Sequence, residues 1–321
     1  MVKSGVALFF IVSAILTSFL GACMLAPEEP VPPVQIEPAF PLDVTDQAGR
    51  IVTIGSMPEK IISLVPSITE IVYALGLEDK LVGVTKYCNY PEAVEEKPII
   101  GGYSSVDLEK VVEIQPDLVL ATRIHRAEVI PALERLGLTV LDLYPTTLDE
   151  VMETITLVGK CTGKEDEASQ LVTEIRNRIS AITSKTVNLA EAQRPRVFYV
   201  QWHDPLRTAG SDNRIHELIE LAGGTNIARD LSGISVTISL EAVIAANPEV
   251  IVAGVGMAAG EDLPLQLALT EPRLRGVDAR INKRVYGMDN DLINRAGPRI
   301  ADALELLAKM IHPEIFGPPE N

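Results

Sequence analysis

Apolar residues recur along this chain in two rhythms. Short runs rich in Val and Ile appear as KIISLV (60–65), DKLVGVT, DLVLA (117–121), LTVLDL, RVFYVQ (196–201), EVIVA and RVYGM. Runs of that length without polar alternation predict strands buried on both faces. Between them PSITEIVYALG, RIHELIELAGG and LEAVIAAN carry apolar residues at helical spacing. Ser67 with Glu70 three residues on predicts a capping box at the start of the first helix, and Gly76 its end. A further helix before Leu138 leads into LTVLDL. DVTDQAGRIVTI, with turn residues between apolar runs, predicts a hairpin. Alternating strands and helices predict an α/β fold with parallel-type sheets.

One sentence is written twice. LEKVVEIQPDLVLA (108–121) and LEAVIAANPEVIVA (240–253) are identical at five of fourteen positions, at a constant offset of 132 residues. That period is too long for a solenoid repeat and predicts two similar small lobes instead. Residues 164–194 contain no Gly or Pro, and Ala168, Leu171, Val172, Ile175, Ile179 and Ile182 form one apolar stripe. This predicts a single long helix, a rigid spine joining an N-terminal lobe (41–163) to a C-terminal lobe (195–321). Within the repeat, Leu108, Val111 and Val112, and likewise Leu240, Val243 and Ile244, are expected to form the buried helix face. Glu109 and Glu241 fall beside that face in the first turn and should be exposed. An acid there complements the helix dipole, which is worth about 0.3–1 kcal/mol at most.

The first 23 residues change the picture of where this body works. Lys3 precedes the apolar stretch GVALFFIVSAILTSFL, and Leu20-Gly21-Ala22-Cys23 resembles a bacterial lipoprotein cleavage site with Cys23 as the lipidated residue. The following tether (24–40) is acidic and Pro-rich, cannot form a core, and would hold the body just off a membrane. The chain has 321 residues, 47% apolar, with a formal net charge of −16. That charge argues against nucleic-acid binding, which needs basic patches. The two other cysteines, Cys88 and Cys161, could pair in an exported protein. No CxxC occurs, and the four His residues are scattered.

Motifs for catalysis are missing. There is no GxSxG, HExxH or P-loop, and GVGMAAG (254–260) has its third glycine one residue late for a dinucleotide loop. No convergent acid, base or nucleophile can be located by spacing, so the chain reads as a binding protein rather than an enzyme, with no cofactor and no resident metal.

KIISLVPSITEIVYALG, VGVTKYCNYP, SVDLEKVVEIQPDLVLA, WHDPLRTAG, LEAVIAANPEVIVA and INRAGPRI together resemble the helical-backbone solute-binding proteins of ABC importers, which carry cobalamin, iron–siderophores or haem. The resemblance covers about residues 42–312 and is greatest to the cobalamin-binding branch. It implies two α/β lobes bridged by one long helix, a ligand between them, and a monomer. It also implies delivery to a permease dimer with ATPase subunits, at the outer side of the cytoplasmic membrane or in the periplasm. A ferric siderophore or haem is the alternative cargo. In this family one exposed Glu per lobe meets arginines of the two membrane subunits, a role that falls on Glu109 and Glu241.

The ligand site is expected on strand-to-helix loops, where open α/β sheets form their crevice. Tyr87, Tyr90, Tyr103 and Trp202 are assigned there, in a chain only 4% aromatic. Flat rings suit a flat macrocycle such as a corrin. By resemblance, Tyr87, Tyr103 and Asp291 match ligand-contacting positions. Two other pocket aromatics of the family are replaced here by Thr122 and a residue near Ser235. Arg123 and Arg207, with His125 and Arg126 nearby, could bind the carboxylates or catecholates of a ferric siderophore, haem propionates, or the amides and phosphate of cobalamin, or simply be solvated.

Overall fold

Among the described residues, the first regular turn is built by one buried acid. Asp46 accepts from the backbone N–H groups of Ala48 (3.0 Å) and Arg50 (2.9 Å), and Gly49 takes φ +78°. This joins β1 (Leu42–Thr45) to β2 (Ile51–Ile54) as the expected antiparallel hairpin. The computed structural model describes residues 40–256 and 262–319. The leader, Cys23, nearly all of the tether and most of GVGMAAG lie outside them.

After the hairpin the chain alternates β3 (Ile61–Ser63), α1 (Pro66–Ala74), β4 (Leu81–Val84), α2 (Leu108–Ile114), β5 (Leu118–Ala121), α3 (Val129–Arg135) and β6 (Val140–Asp142). The four strands form one all-parallel sheet in the order β4-β3-β5-β6. Every residue of β3, β5 and β6 is buried, as their unbroken apolar runs require.

Two helices follow, α4 (Leu148–Thr162) and α5 (Glu165–Thr186). They pack so closely that a Cβ at Gly159 would lie 2.5 Å from the Ala168 Cβ. The 22-residue α5 is about 33 Å long at 1.5 Å per residue. It buries Ala168, Ile175 and Ile182 and half-buries Leu171, Val172 and Ile179, the predicted stripe. It ends at Thr186, not at 194. Thr, Val and Asn at 186–188 are weak helix formers. The Thr186 hydroxyl donates to the Leu221 carbonyl (2.7 Å), and Arg194 donates to the Thr186 carbonyl (3.1 Å), turning the chain into the next lobe.

That lobe contains β7 (Arg196–Val200), β8 (Trp202–His203), β9 (Leu206–Ala209), α6 (Arg214–Leu221), β10 (Thr225–Asn226), β11 (Ser235–Thr237), α7 (Leu240–Ala246) and β12 (Val250–Val255). It continues with α8 (Leu263–Thr270), α9 (Asp278–Ile281), β13 (Val285–Asp289), α10 (Asn290–Asn294), α11 (Ile300–Ile311) and α12 (Pro313–Phe316). Its main sheet is parallel, ordered β10-β7-β12-β13. A separate antiparallel strap, β11-β9-β8, adds to the parallel sheets that the sequence pattern predicts. One core runs continuously from the N-terminal sheet through α5 to α11 and one face of the second sheet; Phe198, Val200, Ile251 and Ala253 fill the other face. Arg178 of α5 is ion-paired to Asp302 and Glu305 of α11 (2.8 Å to Glu305), fixing the spine to the second lobe.

The repeated sentence is one structural unit used twice. Asp107 and Ser239 cap α2 and α7 through Lys110 N–H (3.2 Å) and Ala242 N–H (3.1 Å). Both helices stop at a left-handed residue, Gln115 (φ 53°) and Asn247 (φ 45°), followed by Pro and a central sheet strand. Val111 and Val243 are fully buried, but Val112 and Ile244 are 39% and 37% exposed, contrary to the expected buried face. They lie one turn beyond the two glutamates, on the glutamates' own side of the helix.

The capping box at Ser67 and Glu70 does not form. Helix α1 starts at Pro66 with no side-chain cap. Glu70 is drawn instead to two arginines of the second lobe. The cysteines do not pair: both thiols are free and buried. Cys88 sits against the Thr69 (3.2 Å) and Thr85 (3.4 Å) hydroxyls, and burial pushes the Cys161 thiol up to about 12.

Candidate functional site

A cavity of about 840 Å³ lies between the two lobes. Its wall is made where strands end. All four strands of the first sheet feed it, through Val65–Ser67, Lys86–Tyr87, Thr122 and Leu143–Thr146. From the second lobe β7, β12 and β13 feed it through Gln201, Gly256 and Asn290–Asp291. This is the crevice position open α/β sheets use for ligands. The volume is near the upper end of small-molecule sites, roughly 300–1,000 Å³, and far exceeds a bare ion. Among the described residues no cluster of acids, His and Cys could hold a metal.

The two lobes line it differently. The first supplies the rings of Tyr87, Tyr103 and Tyr144. The second supplies the amides of Gln201, Asn213, Asn290 and Asn294. Tyr103 is held from behind by the buried His125, whose ring meets it edge-on at 5.8 Å. His125 Nδ1 accepts from Thr122 N–H (3.1 Å), so its Nε2–H donates to the Tyr103 carbonyl (2.7 Å). Burial holds this imidazole below its ordinary value and keeps it neutral, against a smaller opposing pull from that backbone bond. Burial likewise raises the Tyr103 phenol.

Of the seven assigned ligand contacts, the wall contains Tyr87, Tyr103 and Asp291. Four lie off it, each with an identifiable partner. Arg123 stacks on the Tyr144 ring at 4.7 Å, supporting a wall residue from outside. Arg207 donates to Ser235 Oγ (2.9 Å), whose hydroxyl donates to Gln201 Oε1 (2.5 Å), so it acts one step behind the wall. Tyr90 lies under the Arg299 guanidinium at 4.0 Å. Trp202 is in β8, not a strand-to-helix loop, and its Nε1 donates to the Asp204 carbonyl (2.8 Å). Thr122 does line the cavity, while Arg126 is ion-paired to the buried Asp142. Tyr144, Gln201 and Asn290, which sequence reasoning misses, each lie within two residues of a strand end, the same signal that points to Tyr87.

A network of charges closes the cleft along one edge. Glu70 is 3% exposed and receives Arg295 (2.9 Å) and Arg299 (2.7 Å) from the second lobe. Arg295 also binds the Asp291 carboxylate (2.7 Å) and the Tyr87 carbonyl (3.0 Å), and Asn89 donates to Asp291 (3.0 Å). Asp291 and Arg295 are thus both wall and seam.

Glu109 and Glu241 are exposed, each in the first turn of its helix. Glu241 has Arg273 at 3.5 Å, a pair with both side chains largely in water. Glu109 has no ion-pair partner among the described residues.

A family model described as "Periplasmic binding protein" matches residues 61–292. An uncharacterized ABC transporter substrate-binding lipoprotein of Bacillus subtilis (strain 168) is 35% identical over 282 residues, 86% of this chain and 87% of that protein. A cobalamin-binding protein of Halobacterium salinarum is 31% identical over 313 residues, 95% of this chain and 84% of the relative. Among solved structures, a periplasmic heme binding protein from Pseudomonas aeruginosa matches with a TM-score of 0.72 at 26% identity, over 80% of this chain and 94% of the other.

Proposed function

The chain belongs to the periplasmic binding protein family, and from that premise we propose that it captures a corrinoid of the cobalamin class between its lobes. It is a non-enzymatic, extracytoplasmic solute-binding component of an ABC importer for cobalamin, haem or an iron chelate. The observation that carries the corrinoid reading is the wall itself, where the phenol rings of Tyr87, Tyr103 and Tyr144 come from one lobe and most of the amides, beside four charged residues, come from the other. Rings cover the face of a macrocycle. Amides exchange hydrogen bonds with the carboxamide fringe of a corrin without leaving a buried charge unpaired. The Halobacterium salinarum relative, a cobalamin-binding protein, supports the same choice.

Calorimetric titration with cyanocobalamin, cobinamide, haem and a ferric siderophore tests it. The corrinoids should bind most tightly; binding of haem or the ferric chelate without any corrinoid would defeat the reading. The same scaffold carrying haem or a ferric chelate is the second reading. It is favoured by the cations Lys86 and Arg214 on the wall, neither in an ion pair among the described residues.

Glu109 and Glu241 are proposed to dock onto basic side chains of two permease subunits. Val112 and Ile244, exposed one turn further along, would add a matched apolar contact beside each. Among the described residues no helix is long and apolar enough to cross a membrane. Attachment is proposed to run through a lipid on Cys23, so that Cys23→Ser should release the protein from the membrane fraction; retention of that variant there would oppose it.

A further inference from the structure

One cation of the wall is misplaced by every local rule. Arg214 is the first residue of α6, immediately after its cap Asn213, whose side chain accepts from Ile215 N–H (2.8 Å). A positive charge at a helix N-terminus is opposed by the helix dipole. Its Nη2 donates to the Asn294 carbonyl (2.7 Å), while its Nε is buried with no acceptor. No carboxylate forms an ion pair with it among the described residues. Glu217, one turn on, favours the Arg214 charge from a distance without pairing with it, and its carboxylate accepts from Leu148 N–H (3.0 Å). The acids of the wall are engaged elsewhere: Asp291 with Arg295 (2.7 Å), and Asp212 with the Ser211 hydroxyl (2.9 Å). Burial pulls the Arg214 pKa down to about 10, which still leaves it charged at neutral pH. A largely buried, charged guanidinium with an unmet donor is costly unless an anion completes it.

We propose that Arg214, at the positive end of α6, is a subsite for an anionic group of the ligand, a carboxylate or a phosphate. The helix N-terminus adds to the attraction. Resting on the chelate-binding reading above, this gives the amide-bearing side of the wall a cation that is not committed to an ion pair among the described residues, which orients a ligand carrying an acidic substituent. A corrinoid would present the phosphodiester of its nucleotide loop there, and a porphyrin a propionate.

Paired ligands distinguish the sources. Wild type, Arg214→Gln and Arg214→Lys are titrated with cyanocobalamin against cobinamide, which lacks the phosphodiester, and with haem against its dimethyl ester. Inorganic phosphate is titrated separately into all three proteins, followed by the backbone N–H NMR signals of residues 214–216, which each of them retains. Arg214→Gln should weaken the anionic member of one pair roughly 10- to 100-fold, leave its neutral partner within about twofold, and abolish the phosphate response; Arg214→Lys should restore part of the loss. Equal losses for both members of a pair would make Arg214 merely structural. No loss for either, or no phosphate response in the wild type, would also overturn the subsite. Phosphate binding that depends on Arg214, with no chelate bound at all, would uphold the subsite and reject the chelate reading.

Discussion

The two lobes are alike where they face outward and unlike where they face each other. Outside, α2 and α7 share a side-chain cap, an exposed Glu, an exposed apolar residue one turn later, a left-handed exit and a Pro leading to a central strand. Inside, one lobe offers three phenol rings with Lys86 and Asn89, and the other four amides with Asp212, Arg214, Asp291 and Arg295. The outer likeness suits a partner with two equivalent subunits. The inner difference suits a small ligand with two unlike sides. A duplicated scaffold can serve both because its sheets set the positions of loop ends without dictating which side chains fill them.

The largest expected effect breaks the outer likeness. Glu109→Lys with Glu241→Lys should abolish uptake in a transport assay while calorimetric ligand binding stays within about twofold. Normal uptake would remove the docking role, and lost binding would mean that the fold had been damaged. Glu109→Lys alone should act at least as strongly as Glu241→Lys, because Arg273 already screens Glu241.

The second test strikes the seam at which the lobes become dependent on each other. Glu70→Ala leaves two guanidinium groups without their shared carboxylate. It should lower unfolding stability by about 3–5 kcal/mol in a urea titration. A loss under about 1 kcal/mol would mean that water replaces the carboxylate freely.

The inner difference predicts unequal substitutions. Tyr103→Ala should weaken every flat macrocycle by roughly tenfold, at about 1.4 kcal/mol per decade. Gln201→Leu should weaken an amide-fringed corrinoid a few-fold and spare a porphyrin. Equal effects of both substitutions on both ligand types would erase the division of labour between the lobes.

The smallest effect is a pH dependence confined to the ring side. His125 titrates below its ordinary value of about 6.5 because it is buried. The unfolded chain therefore takes up the proton more readily than the native one. The contribution of neutral His125 to stability is complete above about pH 6.5 and declines as the pH falls below it. Protonation removes the acceptor for Thr122 N–H, so ligand affinity should fall with stability from pH 7 to 5. Melting and titration of His125→Gln across that range should show a flatter profile; an unchanged profile would clear His125 of the effect.

The division between local and distant causes explains which features could be read from the chain. The repeat, the buried strands and the α5 stripe are local periodicities, and each appears in the structure near its expected place. The exposure of Glu109 and Glu241 follows from spacing within a single helix turn. Tyr87, Tyr103 and Asp291 reach the cavity wall; position in the loop before the Glu109 helix was a real signal for Tyr103, and position just after a strand for Tyr87. The same signal covered Tyr144, Gln201 and Asn290, and could have assigned them.

Sequence by itself determined two α/β lobes, the helix between them and the matched pair of outer acids. Those properties are written in residues at most a few positions apart, where backbone geometry links pattern to structure directly. Tertiary structure alone decided the rest. Glu70 left its local capping role for Arg295, 225 residues away, because a buried carboxylate gains more from two guanidinium groups than from backbone donors. The spine ended at Thr186 because that residue is tied to the Leu221 carbonyl of the other lobe. Arg123 and Arg207 came to support wall residues from behind, and Arg214 came to line the wall itself, because contacts across the fold determine which way a long side chain on a loop or helix end extends.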